Sequence, residues 1–124
     1  MDNALEIRGQ LQTHDLFESF KVQLKKDLDE CACDSSFVDS LQPSFEEIKR
    51  LLTAAIKQSE KKSNFNLQQL LYRVDINEKR LSSELKEHKD EDYISVISTL
   101  IIKRILQKIV LKKHFSPNGN QDRI

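Results

Sequence analysis

The chain has 124 residues, 38 of them Leu, Ile, Val or Phe, with 20 basic and 20 acidic side chains and no net charge at neutral pH. That apolar share, about 31%, lies well above the roughly 20% below which disorder is the default, and the length suits one domain whose core needs neither metal nor disulfide. The charge balance removes the usual electrostatic case for a nucleic-acid or membrane partner, and residues 1–62 differ from residues 63–124 only as −3 against +3.

Two glycines (Gly9, Gly119) and two prolines (Pro43, Pro117) are too few for the tight turns of a strand-rich fold, so the composition points to an all-α protein. The opening MDNALEIRGQ carries Asp2 and Glu6 and no apolar run, unlike a secretory signal. With Cys31 and Cys33 read as free thiols, a reducing cytoplasm is the expected compartment.

In chain order, Gly9 weakens any helix through ALEIRGQLQTH. Residues 15–31 then read as a helix, with Asp15 and Glu18 as a capping box. Leu16, Phe17, Phe20, Leu24, Leu28 and Cys31 fall on one face about 120° wide. A connection over 34–44 holds one helical turn around Phe37, Val38 and Leu41. Ser44 and Glu47 form a second capping box, opening an amphipathic helix in which Phe45, Ile48, Leu51, Leu52, Ala55 and Ile56 share a face.

Asn66 opens a third helix, whose Leu67, Leu70, Leu71, Val74, Leu81 and Leu85 keep one phase. Asp75 and Glu78 form another capping box inside it, and Ile76 lies on its back, so a break is expected near Asp75. The last helix begins after Asp90-Glu91-Asp92, whose charge suits a helix N-terminus, and ends in Lys112-Lys113-His114 before Pro117. The sum is an antiparallel four-helix bundle over residues 1–115, followed by a tail over residues 116–124.

The last helix, YISVISTLIIKRILQKIVLKKHF, carries its only charges as cations. Lys103 and Arg104 at its centre are too costly for a membrane span, and its apolar residues spread too widely around the wheel for an interfacial helix. A helix apolar on most sides is a buried one. Its surplus over what one bundle covers implies either a central position in the chain or a second partner, and the preferred expectation is a homodimer, with Ile97, Ile101, Ile102, Ile105 and Ile109 as the core and dimer face.

Few residues suggest chemistry. Cys31 and Cys33 would diverge by about 200° on a helix, and a tetrahedral site needs two further ligands. His14, the nearest histidine in sequence, lies roughly 25 Å along the first helix. His14, His88 and His114 sit at or near helix ends, with no Glu-x-x-His pair, no HExxH and no glycine-rich phosphate loop. No catalytic residue, metal or cofactor is therefore assigned.

Residues 69–86 also fit the helix-turn-helix pattern, with Leu70 and Val74 buried, Ile76 plugging the turn and Leu81 anchoring the second helix. Asp75 stands where glycine is usual, Leu71 where a small residue is, and Glu84 where an apolar one is. Residues 78–92 carry four basic and six acidic groups, a poor balance for meeting phosphates. The preferred expectation is a non-catalytic protein-interaction or scaffold module that homodimerises. The alternative is a DNA-binding regulator contacting bases through Asn77, Lys79, Arg80 and Ser83.

Overall fold

The structure, a computed structural model, describes residues 4–115. These form α1 (Ala4–Gln12), α2 (His14–Glu30), a 3-10 turn (Val38–Ser40), α3 (Phe45–Ser59), α4 (Leu67–Val74), α5 (Glu78–Glu87) and α6 (Tyr93–Phe115), with no strand among the described residues. The fold is all-α, and its six α-helices replace the four expected. The helix expected over 15–31 is α2, preceded by a separate α1 in the stretch that Gly9 was expected to weaken, and the third helix is divided at Asp75, where a break was expected. The expected tail, residues 116–124, lies outside the described residues.

Local chemistry sets most of these boundaries. Thr13 is the N-cap of α2 but makes no side-chain capping bond; its hydroxyl donates instead to the Gly9 carbonyl at 3.3 Å. The capping box assigned to Asp15 and Glu18 therefore does not start α2. At α3 the Ser44 hydroxyl accepts from the Glu47 N–H at 3.3 Å. Glu46 and Glu47 occupy the first turn of α3 and Lys57 the last, matching the helix dipole at both ends.

Helix α2 ends in a Schellman motif. The Cys33 N–H donates to the Leu28 carbonyl at 2.9 Å and the Ala32 N–H to the Asp29 carbonyl at 3.3 Å. Such a close needs one left-handed residue, and Ala32 supplies it at φ 61°.

Helix α6 is the centre of the molecule, in contact with α1, α2, α3, α4 and α5. Ile97, Ile101, Ile102 and Ile105 are completely shielded from solvent and Ile109 nearly so. The other helices bring one stripe each: Phe17, Phe20, Leu24 and Leu28 from α2, Ile48, Leu52 and Ile56 from α3, Leu70, Leu71 and Val74 from α4. The surplus apolar surface read in the sequence is thus covered by the chain's own five other helices. Among the described residues no helix is long and apolar enough to cross a membrane.

Among the described residues, polar groups inside this core are matched except the buried Thr99 hydroxyl, which has no hydrogen-bond partner. Thr53 on α3 donates to the Ser98 hydroxyl on α6 at 2.8 Å. Asp27 on α2, with its side chain 4% exposed, meets Arg73 of α4 at 2.9 Å and also accepts from the Gln23 amide at 3.0 Å. Taking a carboxylate out of water costs several kcal/mol unless it is paired and hydrogen-bonded. The Asp27 contacts therefore fix how α4 lies against α2.

Candidate functional site

The turn between α4 and α5 is built from both directions. Asn66 caps α4 by accepting from the Gln69 N–H at 3.2 Å. The helix closes in a second Schellman motif, with the Ile76 N–H donating to the Leu71 carbonyl at 2.9 Å and the Asp75 N–H to the Tyr72 carbonyl at 3.1 Å. Asp75 takes the left-handed conformation, φ 73°. Ile76 is the apolar residue that follows such a close and turns back toward the helix's last turns, which accounts for its misfit in a continuous helix. It packs, partly buried, against the core.

The cap of α5 is Asn77, whose side chain accepts from the Arg80 N–H at 2.7 Å. It does the work the sequence reading gave to Asp75. Asp75 is instead held by Arg104 of α6: Nη2 lies 2.6 Å from Oδ2, and Nε donates to the Asp75 carbonyl oxygen at 3.3 Å. The Arg104 contact keeps the Asp75 carboxyl below the ordinary aspartate range. Nη1 of Arg104 donates to Gln107 Oε1 at 2.7 Å, so the guanidinium is gripped on both sides.

Helix α5 has no buried residue. Leu81 and Leu85 are half-buried, and the helix lies on α6. Ten isolated residues make a marginal helix in water; the Asn77 cap, the α6 contact and the Arg80–Glu84 pair at 3.7 Å hold this one.

Two of the concavities beside α5 involve the α4–α5 turn. One is a cleft of about 210 Å³ against α6, where Asn77, Arg80, Lys103, Arg104 and Gln107 surround Asp75. The other is a groove of about 280 Å³ in the angle between α4 and α5, walled by Leu71, Tyr72, Ile76 and Leu81. Tyr72 stands on this groove 87% exposed. Leu71, at a position where helix-turn-helix units carry a small residue, occupies the angle.

The residues proposed from sequence divide between inside and outside. Ile97, Ile101, Ile102, Ile105 and Ile109 lie inside the single chain. Asn77, Lys79, Arg80 and Ser83 are exposed, with Asn77 engaged as a cap and Arg80 on the cleft wall. Cys31 and Cys33 are free thiols buried at the end of α2. Burial pushes both thiols up from their usual range, and the Ser59 hydroxyl donates to the Cys33 sulfur at 3.5 Å. Both therefore stay in the unreactive thiol form at neutral pH.

His14 is exposed at the start of α2, and the His114 side chain lies outside the described residues. His88 comes together with Glu84 and Glu87 on one face of α5, their ligand atoms within 4.8 Å of one another. The Glu84–His88 spacing of four is the only sequence signal for this group. Cations already surround it: Glu84 pairs with Arg80, and Glu91, 3.3 Å from His88, pairs with Lys49 at 3.0 Å. The Lys49–Glu91 pair ties α3 to the entry to α6, with His88 at the end of α5 beside it. No protein-family model, curated protein or solved structure matches the chain.

Proposed function

We propose that this chain is a small non-catalytic protein-interaction module whose contact surface is the open face of the α4–turn–α5 unit. The observation that carries the reading is Tyr72, almost fully exposed beside an apolar groove. Tyrosines at the edge of apolar clefts are characteristic anchors of protein interfaces, because a rigid ring buries much area while its hydroxyl stays wet. A helix that contributes no buried residue to its own domain, yet is capped and held in place, suits presentation to a partner. The rim of Gln68, Asn77 and Glu78 is polar and suits the edge of such an interface.

Self-association belongs to the same proposal. With the isoleucines of α6 occupied inside the monomer, a second copy would meet the chain at the α4–α5 groove. The cytoplasm remains the proposed compartment, supported by two buried free thiols.

The test joins light scattering over a wide concentration range with affinity capture from the native host, using the wild type and Tyr72→Ala. Wild type forms a dimer or retains one partner stoichiometrically, and Tyr72→Ala, unchanged in circular dichroism, loses it. A wild type that remains monomeric and captures nothing, or a partner that ignores the substitution, overturns the reading.

One specific observation favours a second reading, DNA binding. An eight-residue helix, a three-residue turn with a left-handed first residue and a ten-residue exposed helix reproduce the spacing of a helix-turn-helix. In that case duplex DNA at low salt binds with steep salt dependence, and Lys79→Gln reduces the slope.

A further inference from the structure

We infer that the cleft between the α4–α5 turn and α6 is a binding site for a phosphoryl anion, whether orthophosphate or a phosphate monoester on a small molecule. Three cations, Arg80, Lys103 and Arg104, line it against one carboxylate, Asp75. They come from two helices and lie up to 24 positions apart in sequence, so the fold has assembled them. The lining side chains sum to about +2, brought toward +1 by Glu84, which pairs with Arg80 from outside the cleft; the surplus is positive and suits a phosphoryl anion.

Two of the wall groups are set in advance. Asp75 and Gln107 engage three donors of Arg104, which leaves a guanidinium of fixed orientation with N–H groups to spare. Gln107, whose oxygen receives Arg104, keeps its NH₂ group as a neutral donor. Lys103 is half-buried and has no ion-pair or hydrogen-bond partner among the described residues. Lys103 also borders two neighbouring hollows along α6, and, with the one carboxylate of this cleft already engaged by Arg104, it is the cation the site leaves for a ligand. Arg80 is paired with Glu84 at 3.7 Å, one turn along α5, where the carboxylate is only 19% exposed, so an incoming anion shares this guanidinium with Glu84.

Size narrows the ligand. The volume, about 210 Å³, falls below the roughly 300 Å³ at which pockets for drug-sized ligands begin. A phosphoryl group with a short substituent fits; a whole dinucleotide does not. The inference is independent of the Tyr72 groove, so either can fail alone.

Nuclear magnetic resonance titration of the full chain tests it, with inorganic phosphate, methyl phosphate and a short DNA duplex as separate ligands and sodium chloride at matched ionic strength as control. Phosphate or methyl phosphate moves the amides of residues 75–80 and 103–107 in a saturable way. The stronger of the two identifies the source as the free ion or the ester. Lys103→Gln and Arg80→Gln keep the aliphatic stems and weaken binding about tenfold each. Lys103→Arg restores most of it, and Lys112→Gln, on an exposed stretch of α6, has no effect. Shifts that never saturate, that equal those in chloride, that map elsewhere, or that weaken as much with Lys112→Gln as with Lys103→Gln overturn the assignment. So does a duplex that perturbs these amides when phosphate and methyl phosphate do not.

Discussion

Replacing Arg73 by methionine tests the buried contact between α2 and α4 directly. Methionine keeps the length and apolar stem of the side chain, so the change removes a charge and little packing. Asp27 is then left 4% exposed with the neutral Gln23 amide as its remaining donor. Breaking one side of a buried ion pair costs about 3–5 kcal/mol, because the other charge stays buried. Arg73 itself is 33% exposed, so water can enter where it stood, and the lower end, about 3 kcal/mol, is expected. At this chain length that is about 12 °C in Tm, or a fall of about 2 M in the urea midpoint for an m-value near 1.5 kcal/mol/M. Urea titration followed by circular dichroism at 222 nm at pH 7 reads it. The double variant Asp27→Leu/Arg73→Met removes both charges and recovers to within about 1 kcal/mol of the parent. A loss below about 0.5 kcal/mol for Arg73→Met, the range of an ordinary surface change, would refute the claim that this pair holds α4 on α2.

Ala32→Gly relieves a left-handed alanine at the end of α2 and raises the urea midpoint, by about 0.5–1 kcal/mol in stability after the added chain entropy of glycine; a lower midpoint contradicts the Schellman geometry. Ile101→Asp, at a fully buried position of α6, puts an unpaired charge in the core and abolishes cooperative melting; a retained transition means α6 is not central. Acid titration of stability follows from four carboxylates held below their ordinary range: Asp75 by Arg104, Asp92 by Lys57, Glu91 by Lys49 and Asp34 by the Ser36 backbone. Because their folded pKa lies below the unfolded one, their contribution is complete above the unfolded values of about 3.9 and 4.3 and is lost as pH falls through the folded ones. The urea midpoint should therefore decline on acidification below about pH 4.5, and Asp75→Asn should soften that decline; equal slopes in both proteins would remove Asp75 from the account.

Much of the architecture was legible where one residue's chemistry acts on its near neighbours. Ser44 caps α3 because an N-cap hydroxyl needs only the N–H three residues on. Ile76 betrayed the break before Glu78, since an apolar residue on the wrong face of a helix signals that the helix has ended. Thr13 gave no comparable sign: it separates α1 from α2 without a capping bond, and its neighbours include neither proline nor glycine. The Asp27–Arg73 contact joins residues 46 apart and the phosphoryl cleft joins Arg80 to Arg104; neither follows from periodicity, which orders one helix at a time. The α6 isoleucines show the limit most clearly. A helix apolar all round states that it must be covered, but only the path of α1 and α5 across it shows that the chain covers it itself.

Helix α6 leaves the ribosome after every other helix that packs on it. At about 5–20 residues per second, the apolar stripes of α2 and α3 wait several seconds for their common neighbour. During that interval the nascent chain has helices but no hub, and Phe17, Phe20 and Ile48 face the solvent or a chaperone. Folding of this domain is thereby tied to the synthesis of α6, so a chain interrupted before that helix is a sticky fragment.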